Sequence, residues 1–220
     1  MSWEAVFFDF DGVIVDSVNI KTEAFGEMFR PFGADTENKV VDYHIKHLGV
    51  SRYEKFRIWH KEYLGQEIDQ DKINELSEVF SSLVLNKVLN ASFIKGAVEA
   101  LDNLLNNQIP MFVVSGTPED ELRHIVYCRQ IDKYFAGVYG SPLTKPEIVK
   151  RIIEEYKYDP AHCLFIGDAM ADYQAAKQYD LKFLGIIAED KENIFPDGTM
   201  TSETVYIPSL DDFTNRRHVC

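Results

Sequence analysis

Residues Ala5-Val-Phe-Phe8 are apolar at every position, and the run stops at an acidic turn containing glycine, Asp9-Phe-Asp-Gly12. A strand with one face in water alternates apolar and polar residues. One that is apolar throughout needs cover on both faces, as in a parallel sheet between two layers of helices. The feature recurs at 109–114 before Ser-Gly, at 163–166 before Gly-Asp, and at 183–187 before a polar loop. Helical patterns lie between these runs. Ile148, Val149, Ile152, Ile153 and Tyr156 share one helical face. Thr117-Pro-Glu-Asp120 reads as a helix start, with Thr117 as N-cap, Pro118 at the first helical position and an acid three residues after the cap. Strand-then-helix alternation predicts an α/β fold with a doubly wound, mostly parallel sheet.

Residues 17–90 break the alternation. Phe25, Met28, Phe29 and Phe32 keep helical spacing, as do Ile73, Leu76, Val79, Phe80, Leu83 and Val84, and no convincing strand interrupts them. The stretch reads as an all-helical cap inserted after the first strand. The expected division is an α/β core at 1–16 and 91–220 and a cap at 17–90. A length of 220 residues suits one main domain carrying a smaller insertion. Crossings near Ser17 and near 91–96 would join the two parts, and a cap on two linkers can hinge over a site and exclude water.

Lys and Arg number 23 against 36 Asp and Glu, a net charge of −13. This argues against a nucleic-acid or anionic-membrane binder, since both need a basic surface. A hydrophobic share of 45% and a charged share of 27% fit a globular chain rather than a disordered one. No apolar run approaches the roughly 18 residues of a membrane span. The first twelve residues carry three acids and no basic segment, so a secretory leader is not expected. Cys128, Cys163 and Cys220 are an odd number at wide spacings without a CxxC pair, which fits a reducing cytosol.

The chemically informative residues follow the predicted strands, where open α/β sheets bind ligands. They are Asp9 and Asp11, then Ser115-Gly-Thr117, then Lys145 before a proline, then Asp168 and Asp172 in Gly-Asp-Ala-Met-Ala-Asp. Asp9 and Asp11 can point to one side of a strand end, and residues four apart share a helical face. Four carboxylates converging on one crevice repel unless a hard cation joins them. Mg²⁺ suits this, because it takes oxygen ligands and keeps waters and substrate phosphate in its shell. That cation and Lys145 would let a phosphate approach Asp9, with Ser115 and backbone N–H groups near Gly116 holding its oxygens.

These four motifs, DFDGV, SGT, Lys-Pro and GDAMAD, occur in the order found in the haloacid-dehalogenase-like (HAD) phosphohydrolase superfamily, which the chain resembles over nearly its whole length. It is similar to the subgroup with a helical cap after the first motif, which includes phosphoglycolate phosphatases, sugar-phosphate phosphatases and β-phosphoglucomutase. The resemblance implies roles. Asp9 matches the nucleophile that forms an aspartyl-phosphate. Asp11 matches the general acid and base, with its backbone carbonyl on the metal. Ser115, Gly116 and Lys145 match the groups that hold the phosphoryl oxygens, with Gly12 and Thr117 beside them. Asp168 matches the direct Mg²⁺ ligand, and Asp172 a carboxylate on the metal side. Asp11 favours cleavage of C–O–P bonds, since dehalogenases need no acid for an alkoxide and usually lack it.

In the cap, Gly49-Val-Ser-Arg52 resembles a motif whose arginine contacts an anionic group of the substrate, so Arg52 is a candidate specificity residue. The alternative is a solvated arginine. Lys21 stands where the mutase carries a histidine, which counts against mutase activity. It could hold a substrate carboxylate or phosphate, but an exposed lysine is the plainer reading. His44 and His47 have a spacing that can bind zinc, but no acid or cysteine cluster accompanies them. Phe56, Trp59 and Phe80 read as cap core, and the C-terminal Asn-Arg-Arg-His-Val-Cys as a frayed tail. The expected protein is a cytosolic, monomeric, Mg²⁺-dependent phosphomonoester hydrolase acting on a small phosphorylated metabolite such as a sugar phosphate or phosphoglycolate. A phosphomutase and a non-catalytic binding protein on the same fold remain as alternatives.

Overall fold

The computed structural model describes residues 3–189 and 191–214, so the expected C-terminal tail, 215–220, lies outside the described residues. The strands β1 (Ala5–Phe8), β2 (Met111–Pro118), β3 (Gly137–Ser141), β4 (Cys163–Gly167), β5 (Lys182–Ile186) and β6 (Met200–Ser202) form one sheet. Their order is β3-β2-β1-β4-β5-β6, and every neighbouring pair is parallel. This is the expected α/β architecture.

The apolar runs are explained by which layer each residue meets. Val6, Phe8, Val113 and Ile166 join one core with Leu101 and Leu104 of α5 (Ala97–Asn106) and Leu122 and Ile125 of α6 (Glu119–Cys128). Ala5, Phe7, Phe112, Val114 and Phe165 join the other core with Ile148, Val149 and Ile152 of α7 (Lys145–Tyr156) and Ala175 of α8 (Met170–Gln178). Each buried Val, Leu or Phe contributes about 1.5–3 kcal/mol, so strands apolar on both faces are stable only between two covering layers.

Three features depart from the sequence reading. Strand β3 follows no wholly apolar run, because its Gly-Val-Tyr-Gly-Ser sequence sits at the sheet edge and is only partly buried. Strand β6 is a three-residue edge strand. Thr117 does not cap a helix: β2 runs on to Pro118 and α6 starts at Glu119 without a side-chain cap. The Thr117 hydroxyl is engaged elsewhere, as described below.

Residues 18–90 hold α1 (Val18–Phe29), α2 (Ala34–Lys46), α3 (Arg52–Leu64) and α4 (Gln70–Asn90), with no strand of the sheet among them. Helix α1 stops two residues before Pro31, which disfavours helical geometry in its predecessor. Phe32 therefore falls beyond the helix and is exposed, despite its helical spacing. Ser51 and Asp69 cap α3 and α4, accepting from the N–H groups of Tyr53 and Lys72. Phe56, Trp59 and Phe80 are buried as expected, in an aromatic cluster with Phe25 and Phe29. The two crossings run side by side. Val15 pairs antiparallel with Phe93, and Asp16 and Ile94 donate N–H bonds to the carbonyls of Ser92 and Ile14. Arg129 donates to the carbonyls of Val88 and Leu89 at the C-terminal end of α4, where a cation meets the negative end of the helix dipole. Among the described residues no helix is long and apolar enough to cross a membrane.

Candidate active site

The chain leaves β1 toward β2 on one side and returns to β4 on the other, so a crevice opens at the carboxyl ends of these strands. Asp9 sits there directly after β1. Its N–H donates to the Ile166 carbonyl at 2.9 Å, and its Oδ1 accepts from the Phe10 N–H at 2.7 Å. Ser115 and Thr117 come from the end of β2, and Asp168 follows β4. Lys145 opens α7 behind a capping box in which Thr144 and Glu147 satisfy each other.

Lys145 Nζ lies 2.8 Å from Asp9 and 2.5 Å from Asp172. Asp172 also accepts the Ala169 N–H at 3.0 Å. Asp9, Asp168 and Asp172 each bring a carboxylate oxygen within 4.8 Å of the others. Three carboxylates thus lie around one ammonium, a surplus of two negative charges when all three are ionised. Burial, and then the charge of Asp172, push the Asp9 carboxyl up to about 7. Burial and the Asp9 charge hold Asp168 well above the carboxylate range, and burial raises Asp172. Burial alone would lower Lys145, but Asp172 and Asp9 outweigh it and hold the ammonium above its ordinary range. A set of oxygen donors with a surplus of two negative charges fits a hard divalent ion such as Mg²⁺. Gly12 makes room for this grouping. Its φ of +80° suits glycine, and a Cβ there would stand 2.2 Å from an Asp168 carboxylate oxygen.

Asp11 corrects the expectation of four converging carboxylates. Its side chain turns to the cap instead. Ser17 Oγ and Lys21 Nζ each donate to it at 2.5 Å, and the Thr117 hydroxyl donates at 3.0 Å. Burial would raise Asp11, but Lys21 and these hydrogen bonds outweigh it and hold the carboxyl below its ordinary value. Lys21 is accordingly not a solvated lysine: it is buried, and it also donates to Thr117 at 2.7 Å. Ser115 Oγ accepts the Thr117 N–H at 3.1 Å and is buried. At Gly116 a Cβ would meet the Gly49 carbonyl oxygen at 2.6 Å, so the cap loop rests directly on the β2 end.

Arg52 is not solvated either. Its two terminal nitrogens grip Glu121 of α6 at 2.9 and 2.7 Å, a bidentate pair between cap and core. It also donates to Ser81, and it lies over the Phe80 ring. Burial would raise Glu121, but the Arg52 guanidinium holds it below its usual range. Both Lys21 and Arg52 border one cavity with Asp9, Asp11, Asp168, Ser115, Gly116 and Thr117, so expected site residues of both parts meet there, with Lys145 and Asp172 behind Asp9.

The same cavity is lined by residues that the sequence reading did not assign to it, His44 and Lys55. His44 Nδ1 lies 2.8 Å from Lys55 Nζ. His47 Nδ1 instead pairs with the Tyr43 carbonyl, and its ring stacks on Tyr43. Among the described residues the only grouping able to hold a metal is Asp9, Asp168 and Asp172, so the two histidines form no zinc site. Ser17 and Glu121 were also missed, and both are legible only through partners far away in sequence.

The haloacid dehalogenase-like hydrolase model matches residues 6–186. The chain is similar to 6-phosphogluconate phosphatase of Escherichia coli, 26% identical over 216 residues and 94% of each chain. It is similar to a phosphorylated carbohydrates phosphatase of Thermotoga maritima, 25% identical over 187 residues, 79% of this chain and 80% of that one. In fold it is similar to β-phosphoglucomutase from Clostridium difficile, with a TM-score of 0.74 at 17% identity over 98% of this chain and 97% of that one. The match runs through the first strand, the helices above it and the strands that carry the remaining motifs, and this chain belongs to the haloacid dehalogenase-like hydrolase family.

Proposed function

We propose that the protein is a Mg²⁺-dependent phosphomonoester hydrolase acting on a small phosphorylated metabolite through an aspartyl-phosphate on Asp9. The observation that carries this reading is the charge surplus at Asp9, Asp168 and Asp172 beneath a closed cap. The names of the phosphatase relatives point to the same substrate class. Asp9, Asp168 and the Asp11 backbone carbonyl would hold the ion, with Asp172 beside it. When bound, the ion offsets charge between the carboxylates and the phosphoryl group.

Asp9 attacks phosphorus, forming a P–O bond to its carboxylate while the bond from phosphorus to the substrate oxygen breaks. Asp11 supplies the proton to the departing alkoxide. Its carboxyl is held ionised by Lys21, and a docked phosphate dianion opposes that hold and favours the protonated form. In the second half Asp11 takes a proton from water, whose oxygen attacks phosphorus, releasing phosphate and restoring Asp9. Lys145 fixes Asp9 in place, and Ser115 with the Gly116 N–H holds phosphoryl oxygens. The helices of 17–90 act as a cap that excludes water during the first half.

A panel of phosphorylated metabolites with phosphate release as the readout tests this. Turnover is expected with Mg²⁺, silence with EDTA, and recovery on adding Mg²⁺ back. Turnover that survives EDTA contradicts the metal role, and an isomerised sugar phosphate in place of free phosphate marks a mutase.

A further inference from the structure

Burying an ammonium group without a carboxylate beside it is costly, because its hydration is lost and nothing of opposite charge replaces it. Lys55 is such a group. It is 2% exposed on α3, and among the described residues it forms no ion pair. Its hydrogen-bond partner is His44 Nδ1 at 2.8 Å. The other cap cations on the cavity are engaged, Lys21 by Asp11 and Arg52 by Glu121.

His44 completes the picture. With Lys55 donating, Nδ1 is the acceptor, so the proton of the neutral ring resides on Nε2. That Nε2 is buried and has no partner, while the residue is 5% exposed and lines the cavity. The cap side of the cavity thus holds two donors that no carboxylate engages, beside the apolar side chains of Phe25, Leu48 and Phe80. The opposite wall carries Asp9, Ser115 and Asp168. The cavity has about 50 Å³ open to the centre of a water molecule, room for a handful of waters.

We infer that Lys55 Nζ and His44 Nε2 form a seat for a second, non-reacting oxyanion of the substrate, so the enzyme selects compact phosphomonoesters that carry a carboxylate or a second phosphate. This rests on the phosphomonoesterase reading above. The seat acts on selectivity: an uncharged hydroxymethyl group in the same place leaves both donors without a charge to meet.

Two substrate pairs test it: 2-phosphoglycolate against hydroxyethyl phosphate, and 3-phosphoglycerate against glycerol 3-phosphate. Members of each pair differ only in carboxylate against hydroxymethyl. A charge-assisted hydrogen bond makes the carboxylate member better in kcat/KM by roughly ten- to a hundredfold in at least one pair. In Lys55→Met, and independently in Lys55→Gln, that ratio collapses toward one. Propane-1,3-diol bisphosphate supplies the other arm: if it exceeds the carboxylates, the seat takes a second phosphate. Equal kcat/KM within both pairs and for the bisphosphate, or a ratio unmoved by both variants, overturns the seat. A readout free of catalysis separates this from failure of the phosphatase reading. Calorimetry with Mg²⁺-loaded protein compares 3-phosphonopropionate with 3-hydroxypropylphosphonate. Tighter binding of the former, lost in Lys55→Met, upholds the seat even where p-nitrophenyl phosphate and the whole panel go unhydrolysed. Equal binding of the two refutes it.

Discussion

The floor and the roof of the cavity are charged in opposite senses. On the floor, three carboxylates gather at the carboxyl ends of the strands, and Lys145 pairs with two of them, Asp9 and Asp172. On the roof, Lys21 and Arg52 each reach an acid of the core, while Lys55 keeps only a neutral histidine. The floor lacks positive charge and the roof lacks negative charge. Neither imbalance is the product of local propensity: each element could bury apolar residues at those positions at lower cost. The difference teaches that the two parts prepare for different pieces of one ligand assembly. On the function proposed above, the floor would take a divalent cation with a phosphoryl group, and the roof an anion. The contacts that close the cap, Lys21 to Asp11 and Arg52 to Glu121, use the charges that are already balanced.

The largest effect should follow from removing the nucleophile proposed for the floor. Asp9→Asn is expected to lower kcat by at least about a thousandfold, as loss of a covalent nucleophile does, while the thermal melt stays at or above that of the wild type. Wild-type-like phosphate release by this variant would break the assignment of the floor. Next comes the latch between floor and roof. Arg52→Met strands the buried Glu121, an effect of roughly 3–5 kcal/mol in urea unfolding. Arg52→Met with Glu121→Leu should recover most of that stability, and a double variant as unstable as the single one denies that the pair is the cause.

The pH profile sharpens the contrast further. Burial, then the Lys21 and Lys145 ammoniums, lower Lys55 to about 7, with the carboxylates of Asp11 and Glu54 pulling the other way. His44, lowered to about 2 by burial and Lys55, stays neutral throughout. Above pH 7 Lys55 therefore loses its charge, while Lys21 and Arg52 stay paired with their acids. The kcat/KM ratio of a carboxylated substrate over its hydroxymethyl partner should fall with rising pH by up to about tenfold per unit, and be flat below 7. Taking the ratio cancels the titration of Asp9 and Asp11, which both substrates share. A ratio that ignores pH between 6 and 9 would remove Lys55 from the roof's function. The smallest effect is expected at Asp168→Asn in metal-free protein. Relief of like-charge repulsion should raise stability by about 1 kcal/mol, and the stabilisation by added Mg²⁺ should shrink. Lower metal-free stability in this variant would contradict the charge surplus.

The floor was legible in the sequence because each of its residues follows a run that has to be a buried strand. Asp9, Ser115 and Asp168 are located once β1, β2 and β4 are recognised, and Lys145 by its place between the second and fourth motifs. The roof was less legible. Lys21, Arg52 and Lys55 are helical cations, and a helical cation ordinarily faces water. A signal did exist in α3: Arg52, Lys55, Phe56 and Trp59 recur at helical spacing and are all buried, so two charges share the face that packs inward. Glu121 and Ser17 could not be found this way, since their partners Arg52 and Asp11 are brought to them by tertiary folding alone. Thr117 shows the same limit. Its sequence neighbours favour an N-cap, but Asp11 and Lys21 compete for the hydroxyl and extend the strand instead.

The central claim is that Asp9 itself bonds to phosphorus, and borohydride trapping during turnover addresses it most directly. An acyl phosphate is reduced to the alcohol, so an aspartyl-phosphate leaves homoserine in place of aspartate. With Mg²⁺ and a hydrolysed substrate present, mass spectrometry should find homoserine at position 9 and at no other acidic residue of the cavity. Reduction at Asp11 or Asp168, or rapid turnover with Asp9 always recovered intact, would contradict it.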